Sequence, residues 1–202
     1  MPDCRARSAP PEGADRIILG ACSRRGVFLL LPWLAAACAA PPPPAAAVIG
    51  LPQVLDRRRA KPDWLGEVRG TDGSFRQTLT APYPIARLVQ QRFTAGLERR
   101  GELALDTPPT LGLRLDIHRF EIVAVSDLAA FADIDVLLYD LASGRQRDRE
   151  RLQNTTSAGI DAATPIAEQA QTLALGFLTT LTRNALDAPP FHDALHPPPR
   201  VG

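Results

Sequence analysis

Between residues 111 and 138 the chain twice places an apolar residue at every second position: Leu111, Leu113, Leu115 and Ile117, then Ala132, Ile134, Val136 and Leu138. A period of two puts each set on one face of a β-strand. Gly112, Arg114, Asp116 and His118 alternate with the first set, so that strand is half buried and needs a second layer over its apolar face. The alternation changes phase around Arg119, with Phe120, Ile122 and Val125 continuing it, which predicts a bulge or bend there. Ala142-Ser143-Gly144-Arg145 then turns the chain into a hairpin. Its partner is Gln146 to Ser157, whose RQRDRERLQN lacks apolar alternation and reads as a solvated edge strand.

Helical periodicity flanks the strands. Ile85, Leu88, Val89, Phe93 and Leu97 recur at three and four residues, predicting a helix over Pro84 to Arg100 that Gly101 stops. Thr164-Pro165 supplies an N-cap and a proline for the first turn of a second helix. Ile166, Ala170, Leu173, Phe177, Leu181 and Ala185 form its apolar stripe, and it ends before Pro189. Val48 to Leu55 reads as a first strand bent by Pro52. Asp56 to about Ser74 reads as a loop anchored by Trp64 and Leu65, and Phe75 to Thr80 as a short strand. The expected fold class is α+β: a mostly antiparallel sheet with two helices packed on one face.

The N-terminal part has a different character. Arg24 and Arg25 precede an apolar run from Gly26 to Ala37, too short for the roughly 20 residues a bilayer span needs. Pro32 lies within it, and Pro41 to Pro44 close off any helical extension. A basic segment, a short apolar run and a small-residue end make a secretory signal peptide. Leu34-Ala35-Ala36-Ala37-Cys38 resembles the lipobox of bacterial lipoproteins, which implies a diacylglycerol on the Cys38 thiol and cleavage before it. Leu19-Gly20-Ala21-Cys22 is a closer local match, but only Ile17, Ile18 and Leu19 stand before it as an apolar run. Ser23 to Phe28 also resembles a twin-arginine export signal with its phenylalanine one position late; ordinary secretion is the plainer reading. The expected organisation is a signal peptide over 1–37, the lipidated Cys38 with a Pro/Ala tether over 38–47, a periplasmic domain over 48–187 and a proline-rich tail over 188–202.

Charge narrows the partners. The whole sequence holds 23 basic and 22 acidic residues, and five arginines and three acids fall within residues 1–37. The remainder of the chain is nearly neutral, without the clustered positive charge that phosphate backbones or anionic membrane surfaces attract. Lys61 is the only lysine. Cys4 and Cys22 leave with the signal peptide and Cys38 is acylated, so no cysteine pair remains for zinc or redox chemistry.

Candidates for chemistry are few. Asp133 and Asp135 project from one face of a strand and Asp116 from its neighbour, a set that could serve acid/base or metal chemistry. Cross-strand pairing with Arg114 and the arginines of the following strand explains the pattern more simply. His192 and His196 have zinc-compatible spacing but no third ligand nearby. His118 reads as a surface residue at the bend. Asp56-Arg57-Arg58-Arg59 could grip a lipid phosphate, or be a solvated loop. Asn154-Thr155-Thr156 matches a glycosylation sequon without consequence in a bacterial periplasm. No phosphate loop or nucleophile elbow appears. No catalytic, cofactor or metal residue is therefore expected, and the one site residue is Cys38.

Ile49 to Arg58, with its Asp-x-Arg element, resembles the first strand and following loop of the YajG-type family of bacterial outer-membrane lipoproteins. The helix from Pro84 to Gly101, the strands Leu111–Ile117 and Ala132–Leu138, and the helix from Ile166 follow in that family's order. The resemblance implies an outer-membrane-anchored periplasmic protein that acts as an interaction module and not as an enzyme. The absence of an acid directly after Cys38 agrees with outer-membrane sorting. The expected partners are the membrane, through the N-terminal acyl chains, and an envelope protein; lipid is possible and nucleic acid is not expected. The alternative is an auxiliary lipoprotein of a lipid, lipopolysaccharide or ABC-type transport system, and a third reading is a hydrolase using Asp116, Asp133 and Asp135. A large apolar cleft between helices and sheet would favour the alternative; a tightly filled core would favour the interaction module. The edge near Gln146–Ser157 is the expected docking surface.

Overall fold

A computed structural model describes residues 48–195; the expected signal peptide, Cys38, the tether and residues 196–202 lie outside these. Six strands form one sheet: β1 (Gln53–Asp56), β2 (Trp64–Arg69), β3 (Phe75–Thr80), β4 (Leu111–Ala124), β5 (Asp127–Asp140) and β6 (Gln146–Gly159). Helix α1 (Ile85–Arg100) lies between β3 and β4, and α2 (Ile166–Asp187) and α3 (Pro189–Leu195) follow β6. The α+β class and the mostly antiparallel sheet agree with the sequence reading.

Strand β4 organises the sheet. Along one side it pairs antiparallel with β5 from Leu111↔Asp140 to Ala124↔Leu128. Along the other it takes two short strands in parallel, β1 opposite Arg114 to Ile117 and β2 opposite Ile122 to Ala124. β3 completes one edge antiparallel to β2, and β6 the other antiparallel to β5, giving the order β3-β2-β4-β5-β6. The phase change has its physical cause here: His118 is an extra residue, because Ile117 faces Ile134 while Arg119 already faces Asp133.

The stretch expected to be loop before Ser74 contains β2. Glycine, proline and acidic residues around it hide the strand, whose register also shifts between Trp64 and Gly66. Gly66 has φ of +156°, and a Cβ there would lie 1.8 Å from the carbonyl oxygen of Ile122, so this close approach to β4 admits only glycine.

One face of the sheet, with Leu113, Leu115, Ile117, Phe120, Ile134 and Val136, packs under α1 and α2 in one continuous apolar core. Phe120 stacks on Phe177 with ring centroids 6.2 Å apart. The helices approach closely at Gly96, where a Cβ would meet Thr182 and Leu186 of α2 at 2.9 and 2.8 Å. The expected proline-rich tail begins with α3, whose Phe191 and Leu195 are each 1% exposed. Two prolines at a helix start are compatible with its first turn, and two core anchors then fix the segment.

Candidate functional site

The sheet face away from the helices carries the charged residues. Asp116 and Asp135 are directly opposed on β4 and β5, both buried. Like charges in that relationship repel, and cations from three elements surround them. Arg149 Nη2 donates to Asp135 Oδ2 at 2.9 Å, and His118 Nε2 lies 3.0 Å from the same oxygen. Arg114 and Arg57 pair with Asp116 at 3.1 and 3.5 Å. The bulge turns His118 outward beside Arg119, which lets the histidine reach across to β5. His118 is therefore a partner of Asp135.

Burial pushes the Asp135 carboxyl up, but the hydrogen bonds from His118 and Arg149 outweigh it and hold the group below the usual carboxylate range. Asp133 is lowered chiefly by the Arg151 fork, at 2.8 and 2.7 Å, with Gln153 adding a longer bond. Asp140 is lowered to about 2 by Arg147 and by Ser143. The three strands thus hold a lattice in which carboxylates form the floor and guanidiniums the outer surface. Arg119 adds a cation over the Phe131 ring at 4.4 Å, and Arg114 lies 5.4 Å from the centre of Tyr139. Asp135 Oδ1 is buried without a hydrogen-bond partner, and Asp116 Oδ1 has only the Arg114 ion pair, which lacks hydrogen-bond geometry.

This arrangement is poorly suited to acid/base chemistry. Asp133 and Asp135 have lowered proton affinity, and of the three carboxylates only Asp133 borders a hollow, one of about 300 Å³ in which it is already forked by Arg151, while Asp116 and Asp135 line none of the principal ones. Among the described residues no group of three acidic, histidine or cysteine side chains is placed to hold a metal. His192 belongs to α3, and His196 lies outside the described residues.

The Asp56–Arg59 segment divides its arginines between two environments. The Arg58 side chain is only 4% exposed and lies inside the fold. Its Nε and Nη2 form a fork on Asp56 at 2.9 and 2.8 Å. Its other bonds reach the carbonyls of Trp64 and Phe120, both at 3.0 Å, and of Pro62 at 3.3 Å. All five guanidinium donors are engaged, so this arginine joins the ends of β1, β2 and the β4 bulge and is unavailable to a lipid phosphate.

The open surface lies at β6. Among the described residues no strand pairs with its outer side. Under its C-terminal half runs a groove of about 730 Å³ between β6 and α2, with Leu128, Leu173 and Phe177 in its floor and Thr156, Gly176 and Thr180 in its walls. The sequence marked the edge strand but not the groove; the available signal was Gly176, a glycine inside an otherwise apolar helix. A separate apolar cleft, bounded by Leu65, Tyr83, Leu88 and Ala174, measures about 220 Å³. No helix of the described residues is long and apolar enough to cross a membrane.

No family model matches the chain, and no curated protein matches it. Solved structures do. Protein XCC0632 from Xanthomonas campestris, assigned to DUF330, superposes with a TM-score of 0.50 at 18% identity, over 72% of this chain and 89% of that one. The two share the fold. A minor lipoprotein from Acinetobacter baumannii aligns over 71% of this chain and 96% of its own, at 13% identity and a TM-score of 0.33.

Proposed function

We propose that the protein is a non-enzymatic bacterial envelope lipoprotein, acyl-anchored at Cys38 on the periplasmic face of the outer membrane, whose domain docks another envelope component. The observation that carries the docking role is the unpaired β6 edge beside an open groove. The anchoring role rests on the Leu34–Cys38 sequence and the Pro/Ala segment leading into Val48. Membership of the YajG-type family is part of the same reading, supported by the Asp-x-Arg element and the order of helices and strands.

The transport-auxiliary alternative, in the form that itself encloses acyl chains, needs a large apolar cavity. The apolar cleft here, at about 220 Å³, falls below the roughly 300–1,000 Å³ of sites that enclose a drug-sized ligand, and the larger groove between β6 and α2, at about 730 Å³, is open to solvent and bordered by Asn154, Asp161, Glu168 and Gln169, so it does not enclose an acyl chain. The filled core favours the interaction module, and a transporter subunit could still be what it docks.

The test is the mass and N-terminal fragmentation of protein extracted from membranes, beside a Cys38→Ala variant. An acylated N-terminus at Cys38 that the variant lacks supports the reading; an unmodified N-terminus elsewhere removes the anchor.

A further inference from the structure

The chain enters the described fold from Cys38 at one end of the sheet. Val48 is held there, its carbonyl accepting from the N–H groups of Thr110 and Leu111 at 3.0 and 3.2 Å. Ile49 bridges Leu103 and Leu111, both in parallel, and the Leu141 N–H donates to the Thr110 carbonyl at 3.0 Å. Residues 48–51, 103–111 and 141–145 therefore meet where β4 starts and β5 ends. Asp106 and Arg145 are the only charges in these stretches, and beside them Arg100 is paired to Glu102 and Asp187.

This end leaves apolar surface open. Leu105, Leu51 and Leu141 are 74%, 66% and 51% exposed. Leu51 and Leu141 border one hollow of about 460 Å³, together with Gly112 and Tyr139. Leu105 follows Ala104, whose N–H donates to the Ile49 carbonyl at 2.8 Å. Single exposed leucines need no explanation, but apolar residues gathered in one patch mark a contact with a partner or a membrane.

Chain length favours the membrane. Ten residue steps separate Cys38 from Val48, a reach of at most about 35 Å when fully extended. Strands β4 and β5, 14 residues each, run about 45 Å. The opposite end has its own exposed Phe75, Val125 and Ile160, but it cannot rest end-on against a bilayer that holds Cys38. Exposed acids, Asp72, Asp127 and Asp161, also stand there.

We propose that the end bearing Leu51, Leu105 and Leu141 rests in the interfacial layer of the bilayer, with lipid covering the three leucines. This rests on the acyl anchor at Cys38 and goes beyond it: the acyl chains hold the protein at the membrane, and the leucines fix which way it stands. The contact is apolar and needs no anionic lipid. With that end down, the strands lead away from the bilayer. The groove beside residues 154–159 then opens about 25–45 Å from the lipid surface.

The test uses the chain as processed in cells, extracted and reconstituted in vesicles of phosphatidylethanolamine and phosphatidylglycerol. An environment-sensitive fluorophore is attached at Leu51→Cys, at Leu105→Cys or, at the opposite end, at Thr71→Cys; an acylated Cys38 thiol does not react. Lipids with a nitroxide near the headgroup quench a label that touches the bilayer. A blue shift and quenching are expected at 51 and 105 and neither at 71. Adding Leu51→Gln and Leu141→Gln to the Leu105→Cys chain should abolish both without changing its circular dichroism. An acylated chain whose labels at 51 and 105 behave like that at 71 overturns the lipid contact and leaves the anchor standing. Quenching that survives the two glutamines overturns the leucines' role, because the tether alone then places this end. N-terminal fragmentation that finds Cys38 unacylated overturns the anchor, and the contact with it.

Discussion

Arg58 and Asp56 form a closed fork, with parallel hydrogen bonds of 2.9 and 2.8 Å from one guanidinium edge to both carboxylate oxygens. Because the remaining donors hold the carbonyls of Pro62 and Trp64 at the start of β2 and of Phe120 beside the β4 bulge, the pair acts as a joint. Removing Arg58 leaves a half-buried Asp56 and three carbonyls without their donor, at a loss of about 2–4 kcal/mol, toward the lower end for a broken buried pair because the Asp56 side chain is 20% exposed. Arg58→Met should lower stability by that amount and Arg58→Lys by part of it, since an ammonium cannot reproduce the fork. Urea unfolding with a fluorescence readout measures both. A change under about 1 kcal/mol for Arg58→Met would contradict the joint.

Gly66→Ala should be the most damaging conservative change in the sheet. The new Cβ would fall 1.8 Å from the Ile122 carbonyl oxygen, so β2 must leave β4. A loss of about 3–5 kcal/mol is expected, and Gly73→Ala, where a Cβ meets nothing, serves as a control for the positive φ alone. Thermal melts of the two variants separate the close approach from backbone strain.

Helix α3 is part of the core. Phe191→Ala should destabilise by about 3–5 kcal/mol, as for other buried aromatic truncations, because the ring is 1% exposed. Ending the chain after Ala188 should do at least as much. Chemical denaturation distinguishes this from an inert tail, for which both changes would be silent.

Acid should loosen the charged face. Asp133, Asp135 and Asp140 have folded proton affinities lowered from the ordinary carboxylate value, Asp140 to about 2. A depressed folded pKa contributes stability that is present above the unfolded value of about 3.9 and lost as pH falls through the folded one. Stability should therefore be flat above about pH 5 and fall toward pH 2. Carboxyl resonances followed by NMR should show Asp135 rising toward the ordinary range in Arg149→Gln. An unchanged Asp135 titration would remove Arg149 from the account.

Single charge removals at the exposed end should be mild. Asp133→Asn breaks a fork to an arginine that is 54% exposed, and exposed pairs contribute about 0–1 kcal/mol. Any hydrolytic activity that Asp133→Asn abolished without unfolding the domain would revive the enzymatic reading.

Periodicity carried most of this fold. The alternation of Leu111–Ile117 and Ala132–Leu138 and the stripes of α1 and α2 are one-dimensional records of burial, so they read directly. The bulge was legible because an inserted residue shifts that alternation. β2 was hidden because its pairing depends on Gly66, a residue that normally signals a loop and here meets a tertiary demand. α3 was hidden behind its prolines. The Asp116–Asp135 pairing followed from the strand faces, whereas the interior position of Arg58 depends on carbonyls far along the chain. The groove is a gap between elements, which no local pattern encodes.

The two parallel strands laid end to end on β4 also set a schedule. β1 and β2 precede β4 by about forty to sixty residues, and neither can join the sheet until residues 111–124 are available. β5 and β6 come later still. Among the described residues, a chain delivered N-terminus first therefore has only the β2–β3 hairpin and α1 as local structure before residue 101, and sequence-distant pairing slows folding. The sheet beyond that hairpin cannot close until most of the chain has been delivered. For the exported domain proposed above, late commitment is built into the strand order itself.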